Sequence, residues 1–255
     1  MITIKTKKDI ALLREGGRRH GQILRELASM VKPGVTAADL NKRAEDLIKE
    51  GGDTSAFLNY KPSGADRPFP ASLCVSINDE IVHGIPNEEE KVFKEGDIVS
   101  IDLGLVHKGL ITDAAITVPV GTVDKKLEKL VADTKAALMA GIKEAKGGRR
   151  VGDISNAIER CGIAGKYGIV EELVGHGVGY HVHEDPYVPN YGDAGKGAIL
   201  KPGMVIAIEP MFNLGAADIV LDIDGYTYLT ADGSPSAHFE HTILITKGDP
   251  EILTA

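Results

Sequence analysis

Apolar residues recur at helical spacing through Ile10, Leu13, Gly17, Leu24, Leu27 and Val31, behind a Thr6/Asp9 capping pair, until Pro33-Gly34 stops the run. A second helix is predicted to open at Thr36 with Asp39 three residues on, to carry Leu40, Leu47 and Ile48, and to end at Gly51-Gly52. From Leu73 the pattern turns β, with "SLCVSIND", "EIVHGIP" and then "VSIDLGLVHKGLITDAAIT" at 99–117, which reads as a hairpin folded around His107-Lys108-Gly109. Helical spacing returns at Leu127, Leu130, Val131, Leu138 and Ile142, stops at Gly147-Gly148, and resumes near Asp153 with Ile154, Ala157 and Ile158. Strands follow again in "GHGVGYHVHEDP", "GMVIAIEPMF" and "AHFEHTILIT".

The order helix, helix, strands therefore occurs twice, which suggests an internal duplication. "KEGDIVSID" at 94–102 lies over "KPGMVIAIE" at 201–209, so that Asp102 matches Glu209; "TAADL" at 36–40 lies less closely over "VGDI" at 151–154. No Pro-, Gly- or Ser-rich linker separates the halves. The expectation is one α/β domain over 1–255, built from halves of about 1–120 and 121–255, with a site shared where their strands meet.

Composition narrows the function. A hydrophobic content of 43% over 255 residues can fill a sizeable core. With 29 Lys and Arg against 37 Asp and Glu, the charge of −8 and the lack of a basic stripe argue against a nucleic-acid partner. No run approaches the ~18 apolar residues of a membrane span, and the start of the chain has no signal-like apolar core. Cys74 and Cys161 stand far apart, so neither a disulfide framework nor a zinc knuckle is suggested. A reduced, cytoplasmic protein is expected.

The chemistry is carried by acids placed inside strands. An aspartate on a strand ordinarily marks the solvent face. Here a turn at His107-Lys108 would set Asp102 and Asp113 opposite each other, Cβ atoms ~4.5–5.5 Å apart, among Ile101, Leu103, Ile111 and Ile116. Two like charges in that setting need a cation between them. Glu209 in "VIAIEP" and Glu240 at the head of an apolar strand extend the set. Carboxylates alone suit Mg, Ca or Mn, whereas an added imidazole moves the preference toward Mn, Fe, Co or Zn. His176, framed by Gly175, Gly177 and Gly179, is the leading histidine; His83, His181 and His183 are further candidates, with His181 and His183 expected on one strand face. His20, His107, His238 and His241 have no comparable setting.

These stretches together, "SINDEIVHGIP", "DIVSIDLGLVHKGLITDAAIT", "GHGVG", "HEDP", "IAIEP" and "SAHFEHTI", resemble the methionine aminopeptidases in order and spacing over almost the whole chain. The resemblance implies the pita-bread fold, in which two pseudo-symmetric halves form a curved, mostly antiparallel central sheet covered by helices. It implies a dinuclear metal centre with Asp102, Asp113, His176, Glu209 and Glu240 as ligands, Asp113 and Glu240 bridging two divalent ions. In such centres ions ~3.5–4 Å apart activate a shared water. By the same resemblance Glu209 is also the base, His183 donates to the developing oxyanion, and His83 contacts the scissile nitrogen. A free α-amino group of the substrate completes the site and limits cleavage to the first residue.

Specificity for methionine then requires an apolar pocket. Its walls fall on Phe69, Cys74, Val182 and Tyr226, with Tyr60 nearby. The chain has no Trp, so Tyr226 stands where many bacterial members carry one, and Val182 replaces a frequent aromatic. No zinc-finger extension and no long insertion between Glu209 and Glu240 is present, which resembles a type I enzyme. The implied partner is a peptide or nascent-chain N-terminus beginning with Met, with a monomeric enzyme and ribosome association left open. The rival readings are an Xaa-Pro aminopeptidase or prolidase, which share the five ligands but usually carry a large extra N-terminal domain; a non-catalytic binding relative, which would generally lose ligands; and a mononuclear iron oxygenase, which the excess of acids disfavours.

Overall fold

The structure, a computed structural model, describes residues 1–255. Four helices cover the sheets: α1 (Lys7–Met30), α2 (Ala37–Glu50), α3 (Lys125–Glu144) and α4 (Val151–Gly165). The capping boxes read from the sequence form as expected. The Thr6 hydroxyl accepts from the Asp9 amide at 3.2 Å and the Thr6 amide donates to the Asp9 carboxylate at 3.0 Å; Thr36 and Asp39 repeat this at 3.1 and 3.0 Å. α1 buries Leu13, Leu24 and Leu27, but also Gly16, Gly17 and Gly21. Those glycines let other backbone come close, since a Cβ on Gly17 would stand 2.3 Å from the Leu253 carbonyl oxygen.

Two sheets dominate, and every strand pairing in them is antiparallel. One joins Thr54–Ser55, Ile98–His107, Cys74–Ile77 and Leu110–Pro119. The other runs Glu251–Ile252, His241–Leu244, Val205–Ile208, Gly175–Gly177, Glu184–Val188. They meet at the middle of the molecule. Ala115 and Glu240 exchange backbone hydrogen bonds, and the Thr242 hydroxyl accepts from the Asp113 amide at 2.8 Å while donating to its carbonyl at 2.7 Å. α1 and α2 close a core with Leu27, Leu40, Phe93, Ile101 and Leu103; α3 and α4 close another with Leu130, Leu138, Ile154, Ile158, Ile206 and Phe212. Each fully buried Leu or Ile contributes about 1.5–3 kcal/mol to holding helix on sheet.

The stretches matched between the halves make the same local structure. Gly96 and Gly203 both have φ of 94°, and their amides donate to Val120 and Ile245 carbonyls at 3.0 and 2.9 Å. The caps Thr36 and Arg150 each form an isolated bridge, to Val92 and Ile199.

Two expectations need correction. The hairpin turns at Lys108-Gly109, both at positive φ (48° and 82°), with His107 facing Leu110. Asp102 therefore faces Ala115 and Gly104 faces Asp113, so the two aspartates are diagonal neighbours on one face and not direct partners. The reason is that Gly109 accepts the left-handed conformation a two-residue turn requires, which moves the turn one residue along. Second, "GHGVGYHVHEDP" is not one strand. Residues 178–183 leave the sheet between Gly175–Gly177 and Glu184–Val188, and His181 and His183 share no strand face.

Candidate metal centre

One cavity of about 480 Å³ opens where the two large sheets meet. Of the residues singled out from the sequence, Asp102, Asp113, His176, Glu209 and Glu240, His83 and His183, and Phe69, Cys74, Val182, Tyr226 and Tyr60 line it, whereas His181 is exposed and does not. Phe57, Leu173, Leu221 and Tyr228 are among the other residues of its wall.

The acids reach the cavity by two routes. Asp102 and Asp113 project from the long hairpin. Glu209 and Glu240 each sit in a gap where the chain passes between the five-stranded sheet and a smaller one. Val205–Ile208 leads to Met211–Asn213 around Glu209, and Ser236–His238 leads to His241–Leu244 around Glu240. Pro210 supports the first break, because it has no amide to give to a ladder.

His176 is held in one tautomer. Its Nδ1 lies 2.9 Å from the Gly177 carbonyl, which can only accept, so Nδ1 carries the proton and Nε2 presents a lone pair toward Glu209 Oε1 at 3.4 Å. The flanking glycines allow the strand to be gripped from both sides. A Cβ on Gly175 would meet the Ala207 oxygen at 2.5 Å and one on Gly177 the Asp185 oxygen at 2.2 Å. Only Gly179, at φ 133°, also needs an unusual backbone angle. His83 has φ of 60°, a left-handed conformation costing about 1–3 kcal/mol for such a residue, and this aims its ring into the cavity against Tyr228. His183 Nδ1 lies 3.0 Å from the Tyr60 hydroxyl.

Electrostatically the group is unsettled without a counter-ion. Burial, chiefly, carries Asp102 up to about 7 and Asp113, Glu209 and Glu240 well above the carboxylate range, with the neighbouring carboxylates adding to the last three. Burial lowers His176 to about 3 and His83 to about 4. His183 has open surface at the mouth but is closely surrounded by protein, and this desolvation lowers it too. Asp102 Oδ1, Asp113 Oδ1 and Glu240 Oε1 are buried with no hydrogen-bond partner. Ligand atoms of Asp113, His176 and Glu240 lie within 4.8 Å of one another. Orphaned acidic oxygens beside a neutral imidazole lone pair fit a divalent cation.

Sequence reasoning passed over His238. It is buried, neither ring nitrogen has a hydrogen-bond partner, and its Nε2 lies 3.7 Å from Glu209 Oε2. Burial, chiefly, lowers it to about 3. Its position two residues before Glu240 was the available signal, since alternate residues of a strand share a face.

A buried carboxylate–imidazole cluster of this kind fits a metal-dependent enzyme, and a model for metallopeptidase family M24, matching residues 11–247, makes that class a metal-dependent hydrolase. The chain belongs to that family. It is 46% identical to a methionine aminopeptidase of Aquifex aeolicus, across 99% of this chain and 98% of the relative. It also superposes on the solved methionine aminopeptidase of Thermotoga maritima with a TM-score of 0.95 at 44% identity, covering 100% of this chain and 99% of that one. The prolidase of Pyrococcus furiosus, at 22% identity and TM-score 0.75, is covered over 65% of its length and shares the fold alone. The fold is the pita-bread fold, and the protein is a metallopeptidase whose full-length likeness is to methionine aminopeptidases. No helix is long and apolar enough to cross a membrane.

Proposed function

We propose that this protein hydrolyses the bond after an N-terminal methionine in peptides and nascent chains, using two divalent ions held by Asp102, Asp113, His176, Glu209 and Glu240. The observation that carries this reading is the convergence of four acids, two on the hairpin and two at breaks between strands, and one neutral imidazole on a single half-apolar cavity. When bound, the ions lower the pKa of a water and polarise the scissile carbonyl.

The chain's own groups do the rest. Glu209 takes the proton of the attacking water and passes it toward the departing amine. In this reading the Tyr60 hydroxyl, 3.0 Å from His183 Nδ1, is the donor of that bond, which leaves the Nε2–H of His183 to donate to the oxygen that gains charge. His83 steers the scissile nitrogen. Phe69 and Tyr226, packed edge to face at 5.2 Å, form with Cys74 and Val182 an apolar slot for an unbranched thioether. The same reading treats residues 1–255 as one duplicated catalytic domain, monomeric and cytoplasmic, with nascent chains as its natural substrates.

The test is metal-depleted protein reloaded with Mn, Fe, Co or Zn and offered Met-Ala-Ser against Xaa-Pro peptides. Release of methionine only after reloading is expected. Preference for the Xaa-Pro peptides, or no hydrolysis with any of the four metals, would overturn the reading.

A further inference from the structure

We propose that Lys5 and Glu184 form a positioning pair that holds the loop of residues 178–183, and with it His183 and Val182, over the cavity. The proposal rests on the reading of His183 as the oxyanion donor. It concerns residues that make no contact with substrate or metal in that reading.

The loop has no regular structure of its own and bridges two strands of the large sheet. Its base is tied by the Val178 amide to Val205 and by the Ile111 amide to the Gly179 carbonyl, and the Tyr180 hydroxyl donates to Asp9, but the amides at its tip are held by one carboxylate. Glu184 Oε1 accepts from the Tyr180 amide at 2.6 Å and the His181 amide at 3.1 Å. Its other oxygen, Oε2, accepts from Lys5 Nζ at 2.7 Å and from the Thr3 hydroxyl. The Lys5 and Glu184 side chains are 0% and 3% exposed, so the ion pair is sealed inside the protein.

The rest of Lys5 is fitted to the same loop. Its ammonium lies 4.2 Å from the centre of the Tyr180 ring. Its stem occupies the space a side chain at Gly179 would need, a Cβ there lying 2.4 Å from Lys5 Cε. Its backbone amide donates to the Gly203 carbonyl at 2.8 Å, at the head of the strand that leads to Glu209. The pair thus ties the donor loop to the strand that leads to the base.

Stability alone does not account for this arrangement. A buried ion pair is on average no more stabilising than apolar residues of the same volume, because both charges lose their water. Two methionines would fill the space. They would not accept two loop amides from a fixed direction, which the carboxylate does because Lys5 and Thr3 hold its other oxygen. A displacement of about 1 Å in a catalytic donor is enough to lower turnover about 10²-fold.

The experiment compares wild type, Lys5→Met, Lys5→Arg and the double variant Lys5→Met/Glu184→Met, each metal-loaded. The double variant removes both charges together and keeps the packing, so it guards against simple unfolding of Lys5→Met. Expected are an unchanged metal content, a kcat on Met-Ala-Ser about 10- to 100-fold lower with little change in KM, and partial recovery in Lys5→Arg. Histidine-selective 15N spectra should show the His183 ring shifts moving toward those of an imidazole without the Tyr60 bond, with His176 unmoved. A folded double variant with wild-type kcat and wild-type His183 shifts would overturn the proposal. If wild type itself releases no methionine, the reading of function fails, and the His183 shifts still decide whether the pair positions the loop.

Discussion

Asp113 faces Gly104 across the central hairpin, and Asp102, two residues before that glycine, reaches Asp113 along the diagonal. The gap above Gly104 is filled by another segment of chain. A Cβ there would lie 2.6 Å from Phe57 Cε1 and 2.9 Å from Ala56 Cβ, and Phe57 lines the cavity. Gly104→Ala should therefore destabilise the protein by about 1–3 kcal/mol, as overpacking does, and push the Phe57 ring toward the substrate space. Thermal unfolding and the KM for a methionyl peptide should both report it. An unchanged melting temperature together with an unchanged KM would mean that Phe57 is free to move aside.

The acids leave a signature in the metal-free protein. Burial raises Asp102 from 3.8 to about 7, so folded chain holds a proton there that unfolded chain has released. Its contribution to stability therefore becomes more unfavourable as pH rises from about 4 to about 7. Buried histidines act in the opposite sense. His20, His176 and His238, lowered from 6.5 to about 3, give stability that is complete above 6.5 and lost as pH falls toward 3. The wild-type profile mixes both trends; the difference from Asp102→Asn brings out the first, together with the pull of Asp102 on Asp113, Glu209 and Glu240. In chelator, Asp102→Asn should gain melting temperature relative to wild type across that range, by the equivalent of a few kcal/mol at most. With excess Mn the order should reverse, since Asp102 is one of the proposed ligands. A flat difference in chelator would mean that Asp102 is not held protonated in the folded chain.

Much of this cavity's lining was legible in the sequence because its acids stand in strands or directly beside them. Period-two alternation makes an acid in an apolar run conspicuous, and Asp102, Asp113, Glu209 and Glu240 all stand in such runs. The helices were equally plain, because Thr6/Asp9 and Thr36/Asp39 are local signals. What the sequence did not disclose depends on one-residue choices or on distant chain. The turn at Lys108-Gly109 shifts the register by a single residue, and only the left-handed angles of both reveal it. The loop at 178–183 reads as strand in the sequence, but Glu184 takes the Tyr180 and His181 amides in place of a neighbouring strand, and the partner that fixes Glu184 lies 179 residues away. His238 was passed over because its meaning comes from Glu209, on a different strand.

Tyr60 gives a milder perturbation of the same chemistry. Its hydroxyl is the partner of His183 Nδ1 at 3.0 Å, and their ring centroids are 5.7 Å apart. Tyr60→Phe keeps the ring in the cavity wall and removes only the hydrogen bond, so His183 can exchange tautomers and present a bare lone pair to substrate. The expected result is a kcat lower by about 10-fold, the scale of one hydrogen bond at 1.4 kcal/mol, with metal content unchanged. Steady-state kinetics on Met-Ala-Ser measure it. A kcat equal to wild type would assign His183's orientation to its packing against His176, whose ring lies 4.5 Å away, instead of to Tyr60.

Glu209 offers the sharpest separation between holding metal and moving a proton. Its carboxylate lies between two imidazoles, 3.4 Å from His176 Nε2 and 3.7 Å from His238 Nε2, and the backbone carbonyl of the same residue accepts from Asn190 Nδ2 at 3.2 Å. Glu209→Gln preserves this shape and keeps one oxygen for a cation, but an amide cannot accept a proton from water near neutral pH. Turnover should fall by about 10²–10⁴-fold, the range for loss of a general base, while Asp102, Asp113, His176 and Glu240 retain bound metal. Metal content by elemental analysis, measured on the same sample as the kinetics, distinguishes the two roles. Loss of all metal would make Glu209 chiefly a ligand, and turnover close to wild type would remove it from the proton path and leave His238, the adjacent unpartnered imidazole, as the group to examine next.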